Sequence, residues 1–376
     1  MQRYLEAPIE ADLARKMVFL TGPRQVGKTT LSQGLISRSG GQYLNYDIAA
    51  DRSIILQQRW SPQAPLLVLD EIHKMPGWRN WLKGVSDARP AGQRVLVTGS
   101  ARLDTFKRGG ESLAGRYLGL RLHPISLPEW CAHTGCDPDA ALTHLLARGG
   151  FPEPCLAPDA AQAERWRRQY FDALVRDDVL EFSRIHEVNA IRMFATMLRS
   201  RVGSPLSLAG MARDLAVSPA TLKKYLDILE ALFIVFVVRP WHHNIARSVL
   251  QAPKVYFFDT GLVEGDEGLR FENLVATALF SHVQWQHDVL GKECALHYIR
   301  TKDGAEVDFA LSEKNQLTEL VECKLSDDKP HRALLRFSQK FASAGAVQVV
   351  RNLRHAFNVG GVEVARAADY LRKLSS

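Results

Sequence analysis

The chain has 376 residues, 46% of them hydrophobic and 24% charged, which fits a globular protein of two to four domains. Its net charge of +7 permits a polyanionic partner but does not require one. The five cysteines lack C-x-x-C spacing, which argues against a zinc ribbon or a disulfide framework and predicts a reducing cytoplasm. The longest apolar stretch, Ala231 to Val238, is far too short to span a bilayer, so we expect a soluble protein with no membrane partner.

The first predicted elements are a buried strand at Met17 to Leu20 and a helix at Thr30 to Ser37, joined by a loop that matches G-x-x-x-x-G-K-[ST]. This arrangement directs backbone N–H groups and a helix N-terminus at phosphates. Lys28 is expected to bridge the terminal phosphates of ATP, and the Thr29 hydroxyl to bind Mg²⁺. The predicted nucleotide-binding residues of this segment are Gly22, Pro23, Arg24, Gln25, Val26, Gly27, Lys28, Thr29 and Thr30.

A second apolar strand, Leu66 to Leu69, ends in two acids, Asp70 and Glu71. This is the form expected of a strand in a covered parallel sheet that carries a magnesium-binding acid. Asp70 is predicted to hold Mg²⁺, and Glu71 to orient or deprotonate the attacking water. A strand end with solvated acids is the alternative, and it is uncommon at this distance after a phosphate loop.

A third strand, Arg94 to Thr98, is followed by Gly99 and Ser100. Here the chain resembles the AAA+ ATPases, in which a polar residue at this strand end senses the γ-phosphate. The resemblance implies that role for the hydroxyl of Thr98 or Ser100, whereas an ordinary helix or turn cap is the alternative. Arg116 is a candidate arginine finger that would reach a neighbouring subunit's nucleotide, and an ordinary surface arginine is the alternative.

The middle of the chain, Asp159 to Arg199, has a helical pattern. Its apolar stripe, which includes Trp166 and Tyr170, is predicted to be core. Its arginines are predicted to form a solvated face, with nucleic-acid contact as the alternative. They are Arg165, Arg167 and Arg168.

From Leu206 the pattern predicts a helix, a turn and a second helix that begins after the cap Ser218-Pro219, followed by a strand at Phe233 to Val238. This order resembles winged-helix DNA-binding domains. The resemblance implies that three residues face a DNA backbone or groove. They are Thr221, Lys223 and Lys224. Because winged helices also bind proteins, a docking module is the alternative.

Near the C-terminus, two strand-like runs at Ala305 to Leu311 and Leu317 to Leu325 carry Asp308, Glu322 and Lys324. Adjacent strands would bring Asp308 near Glu322, and Glu322 shares a face with Lys324 because the two are two residues apart. Carboxylates that hold one or two Mg²⁺ or Mn²⁺ ions, with a lysine that positions water, suit phosphodiester hydrolysis. A hairpin with edge charges is the alternative.

These residues resemble the motif of the PD-(D/E)xK nuclease superfamily, which includes Holliday-junction resolvases. The resemblance places Asp308, Glu322 and Lys324 on the motif and Glu272 on its helical acid, with Asp308 and Glu322 as the metal ligands.

The whole chain resembles prokaryotic AAA+ ATPases with a C-terminal nuclease-like domain of unknown function. The implied fold is α/β, with a P-loop AAA+ domain at 1–125, a helical connector at 126–203, a winged helix at 204–248 and a restriction-endonuclease-like domain at 249–376. The expected function is a Mg²⁺-dependent ATPase that binds and cleaves branched or forked DNA as a homo-oligomeric ring, with a hexamer favoured. The alternative is a nucleotide-switched protein-binding scaffold with an inactive nuclease domain.

Overall fold

The computed structural model describes residues 1–99, 113–175, 188–242 and 252–375. These residues form two compact units. The N-terminal unit consists of Met1–Pro124 with Ala231–Phe233, and the C-terminal unit of Ile125–Glu230 with Ile234–Ser376. The domain limits predicted from the sequence, 1–125, 126–203, 204–248 and 249–376, stay predictions.

Strands and helices alternate along the N-terminal unit. The helices are α1 (Glu6–Leu13), α2 (Lys28–Ser39), α3 (Ala49–Gln57) and α4 (Trp78–Ala88). The strands are β1 (Met17–Thr21), β2 (Gln42–Asn45), β3 (Leu66–Asp70), β4 (Arg94–Thr98) and β5 (Tyr117–Arg121).

The five strands form one sheet in the order β2-β3-β4-β1-β5, and every pair in it is parallel. Every residue of β1 and β3 is buried. Such continuous apolar strands are typical of a parallel sheet that is covered on both faces. The predicted parallel α/β sheet is therefore confirmed. Because the strands are parallel, their carboxyl ends, including Asp70 and Thr98, lie at one edge of the sheet.

The C-terminal unit begins with a helical region. Its helices are α5 (Leu127–Thr134), α6 (Pro138–Arg148), α7 (Pro152–Leu156), α8 (Ala160–Ala173), α9 (Val188–Arg199), α10 (Leu208–Asp214) and α11 (Pro219–Ala231). Trp166 and Tyr170 of α8 are buried and stack with their ring centroids 4.5 Å apart, as the apolar stripe predicts.

One arginine of α8 differs from the prediction of a solvated face. The Arg167 side chain is buried, and its Nε donates to Asp259 at 2.9 Å. Its guanidinium also donates to the Arg148 carbonyl at 2.9 Å. Periodicity identified the helix but not the buried carboxylate, because Asp259 lies 92 residues further along the chain.

The rest of the C-terminal unit is built around an eight-stranded sheet in the order β12-β13-β11-β10-β9-β8-β6-β7. The strands are β6 (Val235–Pro240), β7 (Lys254–Phe257), β8 (Cys294–Arg300), β9 (Glu306–Glu313), β10 (Gln316–Lys324), β11 (Gly345–Val350), β12 (Phe357–Val359) and β13 (Val362–Arg366). Three more helices follow in this part of the chain: α12 (Glu267–Leu290), α13 (Arg332–Lys340) and α14 (Ala367–Arg372).

The centre of this sheet is the hairpin of β9 and β10. Its turn, Lys314-Asn315, has positive φ angles of 49° and 62°, as expected of a two-residue turn that matches the twist of the strands. The antiparallel register pairs Phe309 with Val321, so that the next position along the ladder brings Asp308 beside Glu322. Strand β11 continues the sheet by pairing in parallel with β10.

Among the described residues, no helix combines the length and the apolar character needed to cross a bilayer.

Candidate functional sites

The phosphate loop connects β1 to α2, and two of its glycines are required by its backbone. Gly22 has a φ of 144°, and a Cβ at this position would lie 2.3 Å from the Leu122 carbonyl oxygen. Gly27 caps α2 with a φ of 102°. A side chain at either residue would strain the turn. The loop therefore delivers the N-terminus of α2, with its unpaired N–H groups, to the carboxyl edge of the sheet.

Lys28 begins α2, and its ammonium group lies within the loop. It donates to the carbonyls of Gly22 at 2.9 Å and Pro23 at 2.7 Å. Burial lowers the pKa of Lys28 to about 8, and the negative charges of Glu71 and Asp70 only partly oppose that shift. A cation whose nearest partners are neutral carbonyls is well prepared to bind an anion.

Asp70 is held at the end of β3 by two hydroxyl groups. Thr98 donates to Asp70 Oδ1 at 2.6 Å, and the Tyr43 hydroxyl donates to Oδ2. The Thr29 side chain acts on the same hydroxyl and lowers the pKa of Tyr43, against the larger upward effect of burial. Tyr43 thus interacts with both predicted magnesium ligands. Thr98, which was expected near the γ-phosphate, contacts Asp70, and Ser100 lies outside the described residues.

Glu71 follows Asp70 with a left-handed φ of 57°, and its N–H donates to the Thr98 carbonyl at 3.0 Å. This backbone turns the Glu71 side chain away from the strand direction. Its Oε2 lies 3.2 Å from the Lys74 ammonium and 3.6 Å from His73. Burial raises the pKa of Glu71, whereas Lys74 lowers it. The carboxylate is next to Asp70, as a water-activating base requires.

The residues of this site fit ATP and Mg²⁺. Mg²⁺ is commonly bound through one or two protein oxygens together with the substrate phosphates. Asp70 and Thr29 supply a carboxylate and a hydroxyl, and Tyr43 donates a hydrogen bond to that carboxylate. The glycine turn, the buried Lys28 and the helix N-terminus suit the phosphates. Five further residues lie in or beside the loop, and their role in nucleotide binding stays a prediction. They are Pro23, Arg24, Gln25, Val26 and Thr30.

Arg116 lies apart from this site in its own chain. Its carbonyl accepts from the N–H of Met17, the first residue of β1, at 3.2 Å. The phosphate loop follows the other end of that strand. The Arg116 guanidinium forms two hydrogen bonds with Asp87, at 2.9 and 3.2 Å. Arg116 is thus at the opposite edge of the sheet from the nucleotide residues of the same chain.

Sequence reasoning missed two residues that support the loop. Arg3 is buried, and its guanidinium donates to the carbonyls of Val26 at 2.9 Å and His123 at 2.6 Å. Tyr43 holds Asp70, as described above. Neither residue belongs to a motif, because each acts through a contact far away in the chain. Tyr43 lies on β2, the strand next to β3, and this position is a signal that could have indicated its contact with Asp70.

The predicted DNA-contacting residues lie on α11. The Ser218 hydroxyl accepts from the Thr221 N–H at 3.0 Å, which caps the helix as the sequence predicts. Lys223 and Lys224 are both exposed, and the Lys223 ammonium lies 3.3 Å from Asp227 one turn later. These side chains are accessible to an anionic partner.

The C-terminal carboxylates converge, as the motif predicts. The Asp308 N–H donates to Glu322 Oε2 at 3.3 Å, and the Cys323 N–H donates to Asp308 Oδ2 at 2.9 Å. Lys324 donates to Glu322 Oε1 at 2.8 Å. Glu272 of α12 joins the same cluster, since one ammonium group, that of Lys254, lies 3.7 Å from Glu272 Oε1 and 3.9 Å from Asp308 Oδ1. The four predicted residues therefore form one site in the C-terminal unit.

Lys254, on β7, also enters this carboxylate cluster, and no motif predicted it. Its side chain is 1% exposed, and its ammonium lies 2.6 Å from Glu306 Oε1, 3.7 Å from Glu272 Oε1 and 3.9 Å from Asp308 Oδ1. The Tyr256 hydroxyl donates to Glu272 Oε1 at 2.7 Å. A lysine at the start of a strand resembles an ordinary solvated edge charge, so the sequence carries no signal for this position.

Burial and mutual repulsion shift the protonation of the cluster. Burial, with repulsion by Asp308, raises the pKa of Glu272 to about 7 and that of Glu322 to about 7. For Lys254, burial acts to lower the pKa, but the charges of Glu272, Asp308 and Glu306 outweigh it and raise the pKa. The site thus has a charged lysine and carboxyls that share protons.

The cluster as observed does not fit a divalent metal ion. Asp308 and Glu322 already accept hydrogen bonds from backbone N–H groups and from Lys324, and Lys254 lies among the acids. In the ranges that the structure describes, no three His, Cys, Asp or Glu side chains form a group that could hold a metal.

Three regions of the chain match known protein families. Residues 14–131 match the family described as AAA domain. Residues 139–269 match a domain of unknown function, DUF8612, and residues 267–369 match another, DUF4143. The three matches follow one another along most of the chain.

Two mycobacterial proteins, both described as uncharacterised, are 30% identical to this chain over 304 residues, which cover 78% of this chain and 67% of each relative. One is from Mycobacterium tuberculosis and the other from Mycobacterium bovis. An uncharacterised protein of Methanocaldococcus jannaschii is 21% identical over 73% of this chain and 64% of that protein. A structure of a Thermotoga maritima RuvB variant is 18% identical and covers 62% of this chain and 86% of that chain, with a TM-score of 0.33.

Proposed function

We propose that this chain, which belongs to the same family as its two mycobacterial relatives and matches the AAA domain family at residues 14–131, hydrolyses ATP with Lys28, Asp70 and Glu71 as the principal residues. The observation that carries these roles is the arrangement around Asp70. Its carboxylate is held by Thr98 and Tyr43 beside the phosphate loop, and Glu71 follows it directly.

Each residue has a separate task in this proposal. The Lys28 ammonium exchanges its carbonyl partners for phosphate oxygens and neutralises their charge. Thr29 and Asp70 would hold Mg²⁺, which supplies further positive charge at the phosphates. Glu71 accepts a proton from the attacking water, and its raised pKa makes it a stronger base than an exposed carboxylate.

The test compares Glu71→Gln with Lys28→Ala. Glu71→Gln should still bind ATP and should hydrolyse it at least ~10²-fold more slowly, the scale of a general base. Lys28→Ala should lose nucleotide binding or turnover. Glu10→Gln removes an exposed carboxylate from the same unit and should leave the rate unchanged. Unchanged turnover in Glu71→Gln would exclude Glu71 from its role.

We propose a homo-oligomeric ring, with a hexamer favoured, in which Arg116 is the arginine finger. It lies at the far edge of the sheet from the nucleotide residues of its own chain, so a finger role needs a neighbouring subunit. Mixing Arg116→Ala and Lys28→Ala chains should restore part of the ATPase activity if the residue acts across subunits. Asp87→Asn, which removes the ion-pair partner, should retain activity.

A second candidate function is metal-dependent cleavage of branched or forked DNA: the convergence of Asp308, Glu322 and Lys324 favours it, whereas the Lys254 ammonium among the same acids opposes binding of a divalent ion. Thr221, Lys223 and Lys224 would contact DNA phosphates. Holliday junction, fork and duplex DNA should be compared with Mg²⁺ or Mn²⁺, with and without ATP. Asp308→Ala should abolish cleavage and keep the ATPase. No cleavage of any substrate by the wild type would favour the scaffold with an inactive nuclease domain.

A further inference from the structure

The position of Lys254 is the feature of the carboxylate cluster that the proposed nuclease chemistry does not use. Its ammonium is buried and lies between 2.6 and 3.9 Å from oxygens of Glu306, Glu272 and Asp308. The ring of Tyr298 covers it, with the Lys254 nitrogen 5.2 Å from the ring centroid. A cation that is enclosed in this way is a fixed part of the fold rather than a mobile surface charge.

The charge on Lys254 balances the cluster. Several acids converge on one region of the C-terminal unit, and buried like charges repel strongly unless a cation or a proton compensates them. Lys324 neutralises Glu322 at 2.8 Å, and Lys254 faces the remaining acids. A metal ion performs the same neutralisation in sites that bind phosphodiesters.

We propose that Lys254 is a built-in counter-ion that takes the place of a divalent metal, so that the cluster binds such an ion only when the Lys254 ammonium is removed. The inference rests on the proposed nuclease function only for the identity of the metal ligands. The Lys254 ammonium lies within 3.9 Å of oxygens of three of these acids, so it would repel a divalent ion at the same carboxylates, because charges at such distances in a partly buried site are poorly screened.

The hydrogen bonds that the carboxylate oxygens already accept support the same inference. The Tyr256 hydroxyl donates to Glu272, and the backbone N–H of Cys323 donates to Asp308. These hydrogen bonds fix the positions of the two carboxylates around Lys254. Removing the ammonium leaves the acids in place and uncompensated, which is the condition under which they gain affinity for Mn²⁺ or Mg²⁺.

The experiment is calorimetric titration of the full chain with Mn²⁺ and no nucleotide. Lys254→Met, which keeps the length of the side chain and removes its charge, should bind one more Mn²⁺ per chain than the wild type. Its affinity should be at least about tenfold above any wild-type binding at the cluster, the scale on which the surroundings of a metal act. Lys292→Met is the matched control, since Lys292 pairs with Glu313 at 3.4 Å on an exposed part of the same unit.

A second variant guards against misfolding of Lys254→Met. Lys254→Met with Glu306→Gln also removes the acid nearest to the lysine, and it should bind the additional Mn²⁺ as well. Adding Asp308→Ala to either variant should abolish the additional site. Wild-type binding as tight as that of the variants, or no additional site in either folded variant, would overturn the inference.

This readout is independent of cleavage. An additional Mn²⁺ site in Lys254→Met, together with no DNA cleavage by the wild type, would support the counter-ion role and contradict the nuclease proposal. DNA cleavage by the wild type, with saturable Mn²⁺ binding at Asp308, would support the nuclease proposal and contradict the counter-ion role.

Discussion

Each unit buries a lysine beside carboxylates, and the two lysines are in opposite electrostatic situations. Lys28 donates to two neutral carbonyls, and burial lowers its pKa to about 8. Lys254 faces three carboxylates, which raise its pKa despite burial. The comparison shows that the partner, rather than burial, decides whether a buried lysine remains available to a ligand.

Neutral replacement of the two lysines should have unequal costs, and this is the largest effect that we expect. Lys254→Met leaves buried acids without their cation and should destabilise the protein by about 3–5 kcal/mol. Lys28→Met loses two hydrogen bonds but relieves a buried charge, so its cost should be smaller, about 1 kcal/mol. Urea unfolding measures both, and equal costs would contradict the comparison.

The pH dependence of stability should also differ in sign between the sites. The pKa values of Glu272 and Glu322 are raised to about 7 in the fold, so their contribution to stability is lost as the pH rises from about 4.5 through 7. Lys28 has a lowered pKa of about 8, so its burial costs less as the pH rises from 8 to 10.5.

Unfolding in metal-free buffer at a series of pH values measures these slopes. Replacing Glu272 and Glu322 with glutamine should flatten the acidic slope, and Lys28→Met should flatten the basic one. A slope that persists in these variants would assign it to other groups.

Two tyrosines that hold carboxylates provide a finer comparison. Tyr43→Phe removes the hydroxyl that donates to Asp70, and it should raise the Mg²⁺ concentration for half-maximal ATPase activity about tenfold. Tyr256→Phe removes one hydrogen bond to Glu272 and should lower stability by about 1 kcal/mol with no change in ATPase activity. An ATPase defect in Tyr256→Phe would break the separation between the sites.

The smallest effect is expected on the surface of α11. Replacing Lys223 and Lys224 with alanine should weaken binding to all DNA sequences alike. It should also flatten the slope of log affinity against log salt concentration by about 1 to 2. The basal ATPase rate should not change. An unaltered salt slope would indicate that this helix docks a protein.

The sequence predicted the parallel α/β core well because local signals determine it. The strand before Gly22, the glycines of the loop and the apolar strand ending at Asp70 are all readable over a few residues. The hairpin of β9 and β10 was also predicted, from two strand-like runs, and its turn is Lys314-Asn315. The solvated face expected at Arg167 was wrong, because its buried partner Asp259 is distant in the chain.

The sequence by itself therefore determined which residues are candidates for the chemistry: the phosphate loop, the Asp70-Glu71 pair and the carboxylate-lysine motif at Asp308. Only the tertiary structure decided what surrounds them. Tyr43 contacts Asp70 from the neighbouring strand. Lys254 contacts Glu306, which lies 52 residues further along the chain. Motifs are set by residues that are close in the chain, whereas the charge balance of a buried site is set by side chains that only folding brings within a few ångströms.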